Sequence, residues 1–193
     1  EIMIGTHNSM TYAKPYHWYG WLMIPFARCQ KKNLREQLLE GARCFDLRIR
    51  FDKDGTPYFA HGAMRVKGDV YGVLTDLKIQ TMFLKGKLLV RLILEDPKLR
   101  KKQEILFIDF CNDIENVFGE YMTFFEGRRK GDWALIYDFK HKQPINQFVG
   151  SMAEDARWYE KIMPFAYARR KNKANLRLAN GILKNKVNLF DFI

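Results

Sequence analysis

The chain has 193 residues, 47% of them hydrophobic and 15% aromatic, which is enough apolar material for one packed domain. This composition excludes a disordered protein, and no apolar run reaches the roughly 18 residues that a membrane-spanning helix needs. The formal net charge of +11 predicts an anionic partner. A phosphorylated substrate, an anionic lipid surface and a nucleic acid all satisfy that requirement.

Two further features concern the compartment of the protein. The three cysteines, Cys29, Cys44 and Cys111, form neither a zinc-binding pattern nor a disulfide framework, so we expect buried thiols. The chain begins at Glu1 and enters an apolar, strand-like stretch at once, and we therefore expect it to be trimmed at its N terminus. A signal peptide would have been lost with the missing residues.

The first quarter of the chain alternates between predicted strands and a helix. A short apolar strand over residues 2–6 ends at the polar run His7-Asn8-Ser9. Leucine spacing predicts a short helix over residues 34–39, closed by a glycine at position 41. Residues 44–51 alternate in the manner of a strand. Because side chains alternate across a strand, Asp46 and Arg48 are predicted to lie on one face.

The rest of the chain continues this alternation. Residues 52–55 (DKDG) predict a tight turn, after which a strand over residues 57–60 leads to His61. The remaining predicted elements are helices over residues 73–84, 105–118, 155–163 and 174–183, and strands over residues 87–94, 133–139 and 187–192. Glu95, Asp138 and Asp191 lie where these strands end.

Alternating strands and helices with continuous apolar strands predict an α/β domain with parallel pairing. Polar residues at the carboxyl ends of strands are typical of the active-site rim of a (β/α) barrel. The chain is short for the ~250 residues of eight such units. We therefore predict one domain over residues 1–193, built as an irregular or abbreviated TIM-type barrel.

Three motifs follow one another in a fixed order: GTHNSM from residue 5, QKKNLREQLLEGARCFDLRIR from residue 30, and YFAHG from residue 58. In this order and spacing they resemble the X-domain of phosphatidylinositol-specific phospholipase C, and in particular its bacterial, metal-independent type. The resemblance covers residues 3–95 and returns at the end of the chain, in KVNLFDFI. A lone HG or DxR carries little weight, whereas the ordered combination is specific.

The resemblance implies a phosphodiesterase that cleaves phosphatidylinositol, or a related glycerophospholipid, through a cyclic inositol phosphate. His7 matches the general base of that family and His61 its general acid. Imidazoles suit both roles because their ordinary pKa lies near neutral pH. Metal-dependent members carry an acidic calcium ligand where this chain has Arg48. A cation at that position predicts charge stabilisation of the phosphorane by the guanidinium, without a metal cofactor.

The same resemblance assigns supporting roles. Asp191 is expected to orient His7, as carboxylates do for catalytic histidines. Asp46 is placed to hold either Arg48 or His61. Metal-independent relatives have an aspartate after the first histidine, where this chain has an asparagine, so the partner of His61 stays open at this stage.

Substrate-binding residues are the remaining expectation. Asn8 and Glu95 match calcium ligands of metal-dependent members, so a calcium site of Asn8, Asp46 and Glu95 is the alternative to a metal-free site. Without a metal, Asn8 and Glu95 are expected to contact the substrate. Asp138 and Lys140 fall near the family residues that bind the inositol ring, although an aromatic residue is usual at the position of Lys140.

Residues 16–26 (YHWYGWLMIPF), from Tyr16 to Phe26, predict a rim loop that either contacts a bilayer or covers the barrel mouth. Two other function classes stay open. A metal-assisted glycerophosphodiesterase on a similar barrel is disfavoured by Arg48, and a non-catalytic binder of anionic membranes is disfavoured by the intact histidine pair. No nucleic-acid-binding signature is present. The resemblance further implies a secreted protein that has no transmembrane segment.

Overall fold

The computed structural model describes residues 3–84, 86–96, 98, 100–128, 157, 168–170 and 172, and the strand residues 136–138, 144–145, 148–150 and 187–190. These residues form an α/β fold, as predicted, with helices packed against one mixed sheet. The helices are α1 (Gly20–Ala27), α2 (Leu34–Leu39), α3 (Val70–Thr81) and α4 (Lys101–Phe118), preceded by a 3-10 helix over Ser9–Tyr12. The strands are β1 (Met3–Thr6), β2 (Ala42–Phe51), β3 (Pro57–His61), β4 (Met64–Arg65), β5 (Leu88–Leu94), β6 (Met122–Arg128), β7 (Ile136–Asp138), β8 (Pro144–Ile145), β9 (Phe148–Gly150) and β10 (Val187–Phe190).

The sheet runs in the order β8-β7-β6-β5-β2-β1-β10-β9, and β3 and β4 branch from β2. Strands β6, β5, β2, β1, β10 and β9 pair in parallel, whereas β7 and β8 are antiparallel. The prediction of parallel pairing is therefore wrong for the β7–β8 end. The chain from β6 to β7 is shorter than the crossover of a dozen or more residues that a parallel pair requires. Within the described residues β8 and β9 do not pair, and the sheet is not closed into a barrel.

Strand β2 is the centre of the sheet and is buried on both faces. Phe45, Leu47 and Ile49 are fully buried on the face that belongs to the main hydrophobic core. Asp46 and Arg48 lie on the opposite face, because successive side chains alternate across a strand. This arrangement confirms the alternation that the sequence predicts.

The end of β2 turns back through the predicted tight turn. The amide of Asp52 donates to the carbonyl of Thr56 at 2.9 Å, and Gly55 has φ +90°, which only glycine adopts without strain. Strand β3 then pairs antiparallel with β2 and carries His61 back over the sheet. The turn and the strand are both confirmed.

The aromatic segment over residues 16–26 differs from its prediction, because α1 begins at Gly20 inside the expected loop. Pro25 lies within this helix and argued against a helical assignment. A Cβ added to Gly20 would lie 2.6 Å from Cβ of Pro15, so the glycine permits the close approach of the two segments. The segment presents aromatic residues to solvent: Trp18, just before the helix, is 78% exposed, and Trp21, within it, is 53% exposed.

Other expectations have clear outcomes. All three cysteines are buried thiols, as predicted. Strands β7 and β10 confirm parts of the predicted strands over residues 133–139 and 187–192. The predicted helices over residues 155–163 and 174–183 lie outside the described residues, apart from Arg157. No described helix is both long and apolar enough to cross a membrane.

Candidate active site

The candidate site lies where the parallel strands β1, β2 and β5 end. His7 follows β1, Arg48 lies near the end of β2, and Glu95 follows β5. The carboxyl ends of parallel strands meet at one edge of a sheet, so these side chains converge. His61 arrives from the β3 arm on the other side of the site.

A set of short hydrogen bonds holds the turn that carries His7. Asn8 adopts a left-handed conformation, with φ +48°, which asparagine tolerates better than most residues. Its amide donates to Oδ2 of Asp46 at 2.9 Å. The hydroxyl of Ser9 donates to the carbonyl of Thr6 and accepts from the amide of Asp46, both at 2.9 Å. These hydrogen bonds therefore join the turn to Asp46 of β2.

Two buried glutamines join the next segment to the same turn. Nε2 of Gln30 donates to the carbonyl of His7 at 3.1 Å, and Nε2 of Gln37 donates to the carbonyl of Ser9 at 2.9 Å. The hydroxyl of Thr11 accepts the amides of Cys29 and Gln30 at 2.9 and 3.0 Å. The glutamine-containing part of the second motif thus supports the histidine of the first.

Arg48 contacts three other residues of the site, and only 3% of its surface is exposed. Its Nε donates to Oδ2 of Asp46 at 3.4 Å, and one terminal nitrogen donates to Oε2 of Glu95 at 3.1 Å. The other terminal nitrogen lies 2.6 Å from Nε2 of His7. A guanidinium has donors only, so Nε2 of His7 is the acceptor and carries no proton.

The buried charges stabilise one another. Burial opposes the ionisation of Asp46, but Arg91 and Arg48 outweigh it and lower its pKa to about 2. Burial likewise opposes the charge of Arg48, but Asp46 and Glu95 raise its pKa above the ordinary value. Removing one partner from such a buried pair costs about 3–5 kcal/mol, because it leaves an uncompensated charge.

Arg91 is a member of this network that the motifs did not identify. It lies opposite Asp46 in the parallel register of β5 and β2, and its terminal nitrogen donates to Oδ1 of that carboxylate at 3.2 Å. The signal was present in the strand LLVRLIL, where one arginine interrupts an apolar run. A charge in the middle of a buried strand requires a buried counter-charge.

His61 forms the opposite wall of the site. Its Nδ1 donates to the carbonyl of Ala27 at 2.7 Å, which leaves Nε2 as the atom available for chemistry. Burial and the charge of Arg48 lower the pKa of His61 to about 4. The ring centroids of His7 and His61 lie 6.4 Å apart, close enough for one small group to hydrogen bond to both imidazoles.

The structure brings most of the predicted site residues together. The convergent set consists of His7, Asn8, Asp46, Arg48, His61 and Glu95. Asp46 contacts Arg48, and His61 donates to the carbonyl of Ala27, a partner that no sequence motif indicated. Asp138 lies on β7, where its backbone is in register with Phe125 of β6. Lys140 and Asp191 lie outside the described residues.

The residues proposed as alternative calcium ligands do not fit a calcium ion. The carboxylate oxygens of Asp46 accept hydrogen bonds from Arg91, Arg48 and the amide of Asn8. Those of Glu95 accept from Arg48 and from the amide of Gly62 at 2.9 Å. The guanidinium lies between the two carboxylates, where it repels a dication. Among the described residues no group of three or more histidine, cysteine or acidic side chains is arranged to hold a metal.

No protein-family model matches the chain, and no curated protein matches it. Solved structures do match. The phosphatidylinositol-specific phospholipase C from Listeria monocytogenes superposes with a TM-score of 0.64 at 17% identity, covering 98% of this chain and 87% of that chain. The fold is that of bacterial phosphatidylinositol-specific phospholipases C.

Structures of the Staphylococcus aureus phosphatidylinositol-specific phospholipase C give the same result. A double mutant matches with a TM-score of 0.69 at 16% identity, covering 100% of this chain and 86% of that chain. A structure concerned with the modulation of membrane binding by the S. aureus enzyme matches with a TM-score of 0.67, the same identity and the same coverage. The resemblance to phosphatidylinositol-specific phospholipase C is thereby confirmed for the fold.

Proposed function

We propose that this protein is a phosphodiesterase that cleaves phosphatidylinositol or a related glycerophospholipid through a cyclic inositol phosphate. The observation that carries the proposal is the convergence of His7, Arg48 and His61, with the two imidazoles 6.4 Å apart and the guanidinium on one of them. A base, an acid and a fixed positive charge are the three groups that internal phosphodiester cleavage needs.

The first step is the attack of a ring hydroxyl on phosphorus. Nε2 of His7 takes the proton of the inositol 2-hydroxyl, whose oxygen forms a new bond to the neighbouring phosphorus. In the free protein Arg48 occupies that nitrogen at 2.6 Å. A bound phosphodiester offers Arg48 a better, charged acceptor, so the guanidinium turns to the phosphate and frees the base. The nucleophile lies beside the phosphorus in the substrate, which removes the entropic cost of bringing them together.

The second step is the departure of diacylglycerol. As the bond from phosphorus to the glycerol oxygen breaks, Nε2 of His61 gives that oxygen a proton. The free protein favours the neutral imidazole, because burial and Arg48 lower the pKa of His61 to about 4. The negative charge of a phosphate bound at Arg48 offsets the guanidinium and favours the protonated form.

The phosphorane between these steps carries extra negative charge. Arg48 meets that charge as a fixed, buried cation, and we propose that no metal is required. Asp46 and Glu95, at 3.4 and 3.1 Å, hold the other two nitrogens of the guanidinium, so only the nitrogen that contacts His7 changes its partner when the phosphate binds. By the resemblance, Asp191 orients His7, and Asp138 and Lys140 contact the inositol ring.

We also propose that the sheet curves into an irregular (β/α) barrel within a single domain. Strands β8 and β9 lie at opposite ends of the sheet order, yet only two residues separate them in the chain. Their facing termini, Ile145 and Phe148, are therefore at most about 11 Å apart. A sheet whose two ends are so close must curve around its own axis, and the seam lies between β8 and β9.

Phosphorus NMR of phosphatidylinositol vesicles tests the function directly. We expect the lipid resonance to be replaced first by that of a cyclic inositol phosphate and then by that of the acyclic monoester. A monoester that forms without the cyclic species indicates direct attack by water and favours a glycerophosphodiesterase. An unchanged lipid resonance, under conditions where the protein binds the vesicles, favours a non-catalytic membrane binder.

Exposed aromatic residues support a peripheral membrane contact through Tyr16 to Phe26. Trp18, Trp21, Leu22 and Phe26 all have more than half of their surface exposed. Trp and Leu side chains in this arrangement favour the membrane–water boundary. Ala27 directly follows this segment, and its carbonyl accepts the hydrogen bond from His61. The segment therefore borders the site that would receive a lipid headgroup. Secretion stays a prediction.

Replacing Trp18 and Trp21 together with alanine tests this contact. We expect weaker binding to phosphatidylinositol vesicles, because two large aromatic surfaces no longer enter the interface. Turnover of soluble inositol cyclic phosphate is expected to be unchanged. Vesicle binding is measured by sedimentation and turnover by phosphorus NMR.

The matched control replaces two other exposed apolar residues, Met82 and Phe83, which are 68% and 81% exposed at the end of α3. This pair is expected to leave vesicle binding unchanged. If vesicle binding and turnover of the soluble substrate both fall in the tryptophan variant, the segment has a packing role. If the control pair weakens binding equally, the contact is nonspecific.

A further inference from the structure

We propose that Arg91 is a positioning residue, which holds Asp46 so that Arg48 presents one terminal nitrogen to His7 and, in turn, to the substrate phosphate. This inference rests on the proposed function, since it assigns a role within the same site. Arg91 does not face the substrate; it acts through Asp46.

The contacts divide the two oxygens of Asp46 between two arginines. Oδ1 accepts from Arg91 at 3.2 Å. Oδ2 accepts from Nε of Arg48 at 3.4 Å and from the amide of Asn8 at 2.9 Å. Arg48 therefore meets this carboxylate through one nitrogen, and its two terminal nitrogens reach Glu95 and His7.

A carboxylate and a guanidinium otherwise prefer a two-bond, side-by-side arrangement. With Oδ1 unoccupied, Asp46 could rotate and bind Arg48 through both oxygens. That pairing would take one terminal nitrogen away from His7 and out of the position where a phosphate is expected. Arg91 opposes the arrangement because its hydrogen bond to Oδ1 fixes the orientation of the carboxylate.

Charge balance favours the same role. The buried groups around Asp46 are Arg91 from β5, Arg48 from β2, and His7 and the amide of Asn8 from the turn after β1. Counted with Glu95, the two arginines and two carboxylates sum to zero when His7 is neutral. Loss of Arg91 leaves one net negative charge beneath a site that has to bind an anion, and that charge draws Arg48 inward.

A purely structural reason for Arg91 is weak. It lies between Val90 and Leu92 on β5, is 2% exposed, and burial lowers its pKa although Asp46 opposes the shift. Replacing a buried ion pair by apolar residues is often neutral or stabilising, so the core itself does not need this arginine. Arg91 is therefore best explained by what it does to its acidic partner Asp46, whose buried charge it compensates.

Activity on soluble inositol cyclic phosphate tests the proposal with four variants. We expect Arg91→Met to lower kcat by about 10- to 100-fold, as small misplacements of catalytic groups do, with a smaller effect on KM. Arg91→Lys keeps the charge and is expected to recover part of the loss. Arg91→Met combined with Asp46→Asn removes both charges, and it is expected to be no slower than Asp46→Asn alone. Losses that multiply in the double variant would overturn the inference, because Arg91 would then act independently of Asp46.

A spectroscopic measurement separates this inference from the proposed function, because it needs no substrate. In ¹⁵N-labelled protein the resonance of Nε2 of His7 reports the hydrogen bond from Arg48. We expect that resonance to shift in Arg91→Met and to return towards the wild-type position in Arg91→Lys. A resonance that does not move overturns the positioning role even if the wild type cleaves lipid. If the wild type cleaves no lipid but the resonance shifts as expected in Arg91→Met, the proposed function is wrong and the positioning role is supported.

Arg65→Met is the matched control. Arg65 donates to Oδ2 and Oδ1 of Asp52 at 2.8 and 3.1 Å, so the control also removes an arginine–aspartate pair, but one outside the site. We expect it to leave both the His7 resonance and kcat unchanged. An equal loss in the control would assign the effect of Arg91 to general destabilisation. Melting temperatures of all variants are compared, and the charge-balanced double variant keeps the test valid if Arg91→Met folds poorly.

Discussion

Alanine at either His7 or His61 is expected to lower kcat for the cleavage of phosphatidylinositol by about 10²- to 10⁴-fold, the usual contribution of a general base or acid. The reason is the geometry of the pair, whose ring centroids lie 6.4 Å apart on opposite walls of the site. The measurement is single-turnover phosphorus NMR, which reports the chemical step and the cyclic product together.

The double variant distinguishes a concerted pair from two independent contributions. If both imidazoles act on the same phosphoryl group, the loss of kcat in the double variant His7→Ala/His61→Ala is expected to be much smaller than the product of the two single losses. Folding of each variant is checked by circular dichroism. Turnover that is unchanged in His7→Ala would remove the proposed mechanism, and unchanged turnover in His61→Ala would transfer the acid role to another group.

Replacing Arg48 with methionine is expected to lower kcat by about 10²- to 10³-fold, the usual cost of losing one group that stabilises developing negative charge. The guanidinium is buried between Asp46 and Glu95 and cannot be replaced by solvent cations. Arg48→Lys keeps the charge but loses the planar fork, so we expect an intermediate rate. Arg65→Met is again the control for the loss of a paired arginine.

The same assay tests the proposal that no metal is required. Excess chelator is expected to leave wild-type activity unchanged, and added calcium is expected to give no increase. The physical reason is that the carboxylate oxygens of Asp46 and Glu95 already accept hydrogen bonds from arginines and amides. Loss of activity on chelation, with recovery by calcium, would contradict the role assigned to Arg48.

Local patterns predicted the parts of the site that depend on neighbours in the chain. The period of a strand placed Asp46 and Arg48 on one face, and the glycine-containing turn after β2 brought His61 back on β3. The order of the three motifs predicted the resemblance to phosphatidylinositol-specific phospholipase C, which the solved structures confirm for the fold. The first two of these inferences concern residues within one strand or one hairpin.

Other parts of the site depend on segments that are distant in the chain. The carbonyl of Ala27 holds His61 across 34 residues, and nothing in the sequence of α1 indicates which of its carbonyls that will be. Helix α1 was likewise not predicted, because Gly20 and Pro25 are both poor helix formers. The sequence predicts that a buried Arg91 needs an acidic partner, because a buried charge must be paired, but it does not predict that the partner is Asp46.

The amino-acid sequence by itself determined the alternation of elements, the strand-end histidine, the face that carries Asp46 and Arg48, and the family that the chain resembles. Only the tertiary structure decided which groups touch: Arg48 on His7, Arg91 on Asp46, and Ala27 on His61. Periodicity is a property of a few consecutive residues, whereas the register between β2 and β5 and the path of the chain before α2 are set by the packing of the whole sheet.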